Sequence, residues 1–88
     1  MTVHLRIHGQ VQGVFFRRTA KAEAVKLGLT GWVRNNGDGS VEVLAVGYEK
    51  ELKEFIKWCK DGPGMAKVDR VVEKWSVGDE DFGSFEVL

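Results

Sequence analysis

The chain alternates between two hydrophobic periods, and the succession of those periods leaves few folds open. Val3, Leu5 and Ile7 alternate with Thr2, His4, Arg6 and His8, the pattern of a half-buried strand. Gly9 to Val14, bracketed by glycines, reads as a loop. Phe16, Ala20, Ala24 and Leu27 then share one helical face, so a first helix is expected from about Phe16 to Leu27, ended by Gly28. Period two returns in Leu29 to Asn35 and again in Val41 to Val46. Between them Asn36-Gly37-Asp38-Gly39-Ser40 supplies residues that tolerate the positive φ of a hairpin turn. From Glu49 the spacing is helical once more: Leu52, Phe55, Ile56 and Cys59 share a face, and Gly62-Pro63-Gly64 stops the helix. A fourth strand is expected over about Ala66 to Val77, with a bulge or strong twist where the apolar phase slips between Val68 and Val71. Beyond the acidic loop from Gly78 to Gly83, Phe85 and Val87 offer a short edge strand.

The order is βαββαβ, the split βαβ arrangement of a ferredoxin-like α+β sandwich. Right-handed crossovers put both helices on one face of an antiparallel sheet and leave the other face to solvent. With 88 residues the expectation is a single domain over 1–88, burying about 60% of the surface its unfolded chain exposes. Most of its apolar side chains are therefore committed to the core, and no second lobe or closed cleft can be built. Hydrophobic residues at 43% and a single proline argue against disorder.

The formal net charge is zero, but the balance is uneven along the chain. Residues 1–36 carry six Lys and Arg against Glu23 alone, a charge of +5, and residues 37–88 carry seven cations against twelve anions, a charge of −5. A neutral chain is poorly suited to sliding on nucleic acid or lying on an anionic membrane, whereas a basic first segment can hold one anion locally. One cysteine, Cys59, rules out an internal disulfide and any CxxC pair. The first residues alternate instead of forming the apolar stretch of a signal peptide, and no run approaches the roughly 20 apolar residues of a bilayer span. These features read as a soluble, cytoplasmic protein; a monomer is expected.

Chemistry has one obvious place to reside. A loop that enters a helix gathers N–H groups without intrahelical partners, and the helix dipole adds partial positive charge. Gln12-Gly13-Val14-Phe15-Phe16-Arg17 is such a loop, with Arg17 and Arg18 at its mouth, and a guanidinium grips two phosphate oxygens in a fork. Spacing does not choose between the two arginines. The glycines fit neither a Walker A loop nor a dinucleotide fingerprint.

Gly9-Gln10-Val11-Gln12-Gly13-Val14-Phe15-Phe16-Arg17 resembles the G-x-V-Q-G-V-x-F-R signature of acylphosphatases. Gly31-Trp32-Val33-Arg34-Asn35, with Gly39, Val41 and Gly47, resembles that family's second signature, G-W-V-x-N-x(3)-G-x-V-x(5)-G. Every fixed position of both matches, and the length and element order agree over essentially the whole chain. The resemblance implies hydrolysis of a carboxyl-phosphate anhydride to a carboxylate and inorganic phosphate, with no metal or cofactor. It implies Arg17 as the phosphate-binding arginine, the amides of Gln12, Gly13, Val14, Phe15 and Phe16 as the phosphate cradle, and Asn35 as the residue that positions the attacking water. Phe15 fills a free motif position where many relatives have a small residue, and Asn36 stands where threonine is frequent, which bears on rate and on fine water geometry. The chemistry is compatible: an acyl phosphate is already activated, so its phosphoryl group needs neutralising and aligning more than it needs a strong nucleophile.

Other readings of the same residues are weaker. His4 and His8 lie four strand residues apart, about 13 Å, too far to share a zinc ion roughly 2 Å from each nitrogen. Cys59 falls on the apolar stripe of the second helix, and Asp79-Glu80-Asp81 reads as a solvated loop more readily than as a carboxylate pair. The alternative from another class is a nucleic-acid or regulatory binding module, since RNA-recognition domains share this element order and stack bases on aromatics of the first and third strands. Here neither of those strands has an aromatic residue; Trp32 on the second is a lone candidate platform, and Trp58 and Trp75 follow no assigned pattern.

Overall fold

The computed structural model describes residues 1–78 and 82–88. Its elements follow in the expected order: β1 (Thr2–Gln10), α1 (Phe16–Lys26), β2 (Thr30–Asn35), β3 (Val41–Val46), α2 (Glu49–Asp61), β4 (Lys67–Ser76) and β5 (Phe85–Val87). The five strands form one sheet in the order β4-β1-β3-β2-β5. Pairing among β1, β2, β3 and β4 is antiparallel as expected. The edge strand differs: β5 runs parallel to β2, with Gly31 opposite Phe85 and Val33 opposite Val87, so the sheet is mixed rather than wholly antiparallel. The chain reaches that edge from β4, at the far side of the sheet, and this return across the molecule sets the direction of β5.

Strand alternation sorts the side chains. Val3, Leu5 and Ile7 of β1, Val33 of β2 and Val41, Val43 and Ala45 of β3 are all buried beneath the helices. The helices meet them with the stripes predicted from spacing, Phe16, Ala20 and Ala24 on α1 and Leu52, Phe55, Ile56 and Cys59 on α2. Among the aromatics, Trp58 acquires a role that its position did not suggest. Its ring lies 5.4 Å from Phe16 and 6.1 Å from Phe55, and Phe55 in turn lies 6.1 Å from Phe85. This chain of rings joins α2, the first residue of α1 and β5, and each fully buried ring contributes about 1.5–3 kcal/mol through apolar burial.

The phase slip in β4 is a bulge. His8 pairs with Arg70 but Gly9 pairs with Val68, so Asp69 is the extra residue. Gly9 is required opposite it: at φ +132° a Cβ would stand 2.1 Å from the Lys67 carbonyl oxygen. The bulge lies at the end of β1, where the chain leaves the sheet for the glycine loop. Asp79, Glu80 and Asp81, set aside above as a solvated loop, lie outside the described residues.

Candidate active site

The loop after β1 enters α1 through a strained residue. Phe15 occupies the N-cap position in the left-handed conformation, φ +62°, which a bulky side chain rarely adopts, and its ring is 66% exposed. Gly13, at φ +74°, turns the loop two residues earlier. Phe16 is buried among the rings described above, so the loop is stretched between the bulged end of β1 and an anchored helix start.

Charge at this helix start runs against ordinary preference. No side chain caps α1 and no acidic residue stands in its first turn. Instead Arg17 and Arg18 place two cations where the helix dipole is already positive, which costs stability unless an anion is the intended occupant. In α2 the usual arrangement holds, with Glu49 and Glu51 in the first turn and Lys60 in the last.

Asn35 arrives from the sheet. It is the last residue of β2 and in phase with buried Val33, so it faces the helix side while Arg34 faces the open side of the sheet. Its Oδ1 is buried and accepts no hydrogen bond from the described protein groups. An amide oxygen so placed costs about 1–3 kcal/mol if nothing donates to it, and such an atom asks for an explanation. A cleft of about 250 Å³ supplies one: it is lined by Gly13, Phe15, Arg17, Arg18 and Asn35, with Val11, Phe16 and Val87 as its apolar wall. Arg17 and Asn35, 18 positions apart in sequence, thus face the same open space.

The two arginines are distinguished. Arg17 is half-buried, and its Nη1 donates to the Leu88 main-chain oxygen at 2.8 Å, tying the start of α1 to the segment that follows β5. Arg18 is exposed. Of the other loop residues, Gln12 donates from its side-chain Nε2 to the carbonyls of Asn36 at 2.7 Å and Ser40 at 2.9 Å. That contact had no signal in the spacing of the sequence.

The +5 charge of the first 36 residues is not all delivered to the cleft. On the opposite face of the sheet Glu42 accepts from Arg34 Nη2 at 2.9 Å and Nε at 3.2 Å and from His4 Nε2 at 2.5 Å, with Arg6 3.9 Å away. The His4 hydrogen bond, with Arg34 behind it, lowers the Glu42 carboxyl to about 2 although burial opposes the shift. Of the six Lys and Arg counted in that charge, Arg34 is bound to Glu42 and Arg6 lies 3.9 Å from both Glu42 and Asp38, while Arg17 and Arg18 line the cleft. Arg34 also lies over the Trp32 ring, 5.0 Å from its centroid, so the candidate stacking platform on β2 is already covered by a cation. His4 is bound to Glu42, and among the described residues no three His, Cys, Asp or Glu side chains gather as metal ligands would.

The family model for acylphosphatases matches residues 3–87. The chain belongs to the acylphosphatase family. An acylphosphatase from Marinobacter nauticus is 44% identical over 82 residues, 93% of this chain and 89% of that one. One from Thiobacillus denitrificans is 49% identical over 70 residues, 80% and 79% of the two chains. The crystal structure of acylphosphatase from Bacillus subtilis superposes with a TM-score of 0.96 at 37% identity, covering 99% of this chain and 97% of the other. The expectation drawn from the two signatures therefore stands: the acylphosphatase chain is a hydrolase acting on acyl phosphates, on a ferredoxin-like α+β fold. The reading as a catalytically silent binding module gives way to it. Among the described residues no helix is long and apolar enough to cross a membrane.

Proposed function

We propose that the cleft between α1 and the end of β2 is where this acylphosphatase works, with Arg17 and the amides of Gln12, Gly13, Val14, Phe15 and Phe16 holding the phosphoryl group and Asn35 holding the water. One observation carries the proposal: Asn35, whose Oδ1 is buried and without a hydrogen-bond partner among the described residues, lines the same cleft as Arg17 and the uncapped start of α1. The helix start and the guanidinium supply positive charge where three phosphoryl oxygens would sit, and they are fixed before substrate arrives. Asn35 is no base, but its amide oxygen accepts one water hydrogen and so points a lone pair at phosphorus. In-line attack forms the new P–O bond as the bond to the acyl oxygen breaks. The carboxylate leaves with the electron pair, and the water proton passes to a phosphoryl oxygen. No step calls on a metal or cofactor.

The finer features belong to the same proposal: a single domain over 1–88, acting as a cytoplasmic monomer on a small acyl phosphate and without nucleic acid. Support comes from the neutral net charge and from the open sheet face, whose central acid and covered Trp32 make a poor base-stacking platform.

Benzoyl phosphate hydrolysis and competitive inhibition by inorganic phosphate, measured together, separate the roles. Arg17→Ala is expected to lose both turnover and phosphate inhibition, and Asn35→Ala to lose turnover while still binding phosphate. Identical behaviour of the two variants would refute the division. A pH-rate profile governed by an enzyme group near neutrality would refute proton transfer to the substrate itself.

A further inference from the structure

Chemistry of this kind needs Arg17 and Asn35 at one fixed separation. Yet among the described residues no main-chain hydrogen bond joins the 11–15 loop to the β2–β3 hairpin. The Gln12 side chain spans that gap. Its Nε2 gives one hydrogen to the Asn36 carbonyl at 2.7 Å and the other to the Ser40 carbonyl at 2.9 Å. The two acceptors stand on opposite arms of the hairpin, the first directly after Asn35, and the Asn36 N–H closes the turn onto the Ser40 carbonyl at 2.9 Å. The turn is rigid in its own right. Asn36 Nδ2 donates to Ser40 Oγ at 3.1 Å, and the Ser40 hydroxyl and N–H both donate to Asp38 Oδ1, at 2.6 and 2.9 Å. Ser40 is buried, so its carbonyl has little water to turn to.

We infer that the Gln12 side chain is a positioning residue for hydrolysis, setting the distance between the anion-holding loop and Asn35. The inference rests on the roles proposed above for Arg17 and Asn35. Gln12 has two separable jobs: its main chain belongs to the cradle, and its carboxamide locates the hairpin that carries the water-holding amide. A side chain of this length with two hydrogens on one nitrogen meets both acceptors at once. Asparagine is shorter by a methylene, and a carboxylate offers no hydrogen and presents charge to two carbonyl dipoles. A misplacement of 1 Å at a reacting centre costs about 100-fold in rate, so a pin of this kind is read in kcat.

The test uses Gln12→Ala and Gln12→Glu in the full chain, with kcat for benzoyl phosphate and the inhibition constant for inorganic phosphate measured from pH 4.5 to 7. The expected result at pH 7 is a kcat lower by roughly 10-fold to 100-fold in both variants, with phosphate inhibition changed by less than about threefold. As pH falls, the carboxyl introduced by Gln12→Glu protonates and regains one hydrogen to donate. The kcat of Gln12→Glu relative to wild type is then expected to rise several-fold while that of Gln12→Ala stays flat. Asp38 and the other titrating groups are common to all three proteins and cancel in the ratio. Equal losses of kcat and phosphate binding would assign Gln12 to the cradle alone, and an unchanged kcat would deny the pin any role; either overturns the inference. So does a Gln12→Glu ratio as flat as that of Gln12→Ala. Should Gln12→Ala fail to fold, the pH response of Gln12→Glu decides by itself. A wild-type chain without phosphate-inhibited hydrolysis would instead defeat the underlying assignment.

Discussion

At the scale of single residues the proposed site turns on which of two adjacent arginines would meet the anion. Both line the cleft, but only Arg17 is half-buried and tethered, through Nη1 to the Leu88 main-chain oxygen. A tethered guanidinium presents its remaining donors in a fixed fork, and a lysine keeps the charge while losing the fork. Arg17→Lys is accordingly expected to lower kcat/KM by about 100-fold to 1,000-fold, as loss of a preorganised donor does, and Arg18→Ala by about 10-fold at most. Steady-state assays on benzoyl phosphate check this, and equal losses at the two positions would remove the distinction. Residue spacing left the choice open, because neighbours on a helix differ by about 100° in direction and which direction is inward depends on what packs there; only the family signature, which ends on Arg17, singled it out.

Elements deliver these residues, and two of them carry predictions. The edge strand β5 is only three residues long, yet Phe85 is 1% exposed and stacks edge-on to Phe55, while Val87 forms part of the cleft wall. Phe85→Ala is expected to cost about 3–5 kcal/mol in urea unfolding, a large share of what a domain this small has. A shift below about 1 kcal/mol would show that β5 is a loose appendage. On the far side of the sheet Glu42 ties β3 to β2 and β1 through Arg34 and His4. Its folded pKa of about 2 lies below the ordinary 4.5, so the unfolded chain takes up the proton first as pH falls. The stabilisation is complete above pH 4.5 and disappears toward pH 2, amounting to about 3 kcal/mol at most. Unfolding midpoints measured between pH 6 and pH 2.5 should therefore fall less steeply in Glu42→Gln than in wild type; parallel slopes would contradict it. Element order and nearly every boundary were legible beforehand, because burial on one face imposes its period on the sequence. The direction of β5 was not, since three residues have a period but no sign.

For the molecule as a whole, four of the six Lys and Arg of residues 1–36 divide between two faces of the sheet. Arg6, Arg34 and His4 are engaged by Glu42 on one face of the sheet, and Arg17 and Arg18 remain at the cleft on the other. On the proposed assignment the chain itself supplies the positive charge for the phosphoryl group, and chelator treatment is expected to leave hydrolysis undiminished. A substantial loss restored by a divalent cation would refute it. The overall extents, 30 × 22 × 20 Å, agree with a site that is an open cleft in the surface rather than an enclosed chamber.

What the sequence determined by itself was local or periodic. The two signatures named the family and its candidate residues, the alternation of periods yielded the ferredoxin-like order, and the slip between Val68 and Val71 foretold the bulge at Asp69. Tertiary structure alone decided which arginine is tethered, how β5 pairs, where Trp58 packs, which acid engages the spare cations, and that Gln12 joins the anion loop to the hairpin. Several of these contacts link positions from 24 to 71 residues apart, as Gln12 to Asn36 and Arg17 to Leu88 do. Others depend on which way an edge strand runs or which face of the sheet a side chain takes. Hydrophobic periodicity records only whether a position is buried, not what it is buried against, so such partnerships appear only once the chain has folded.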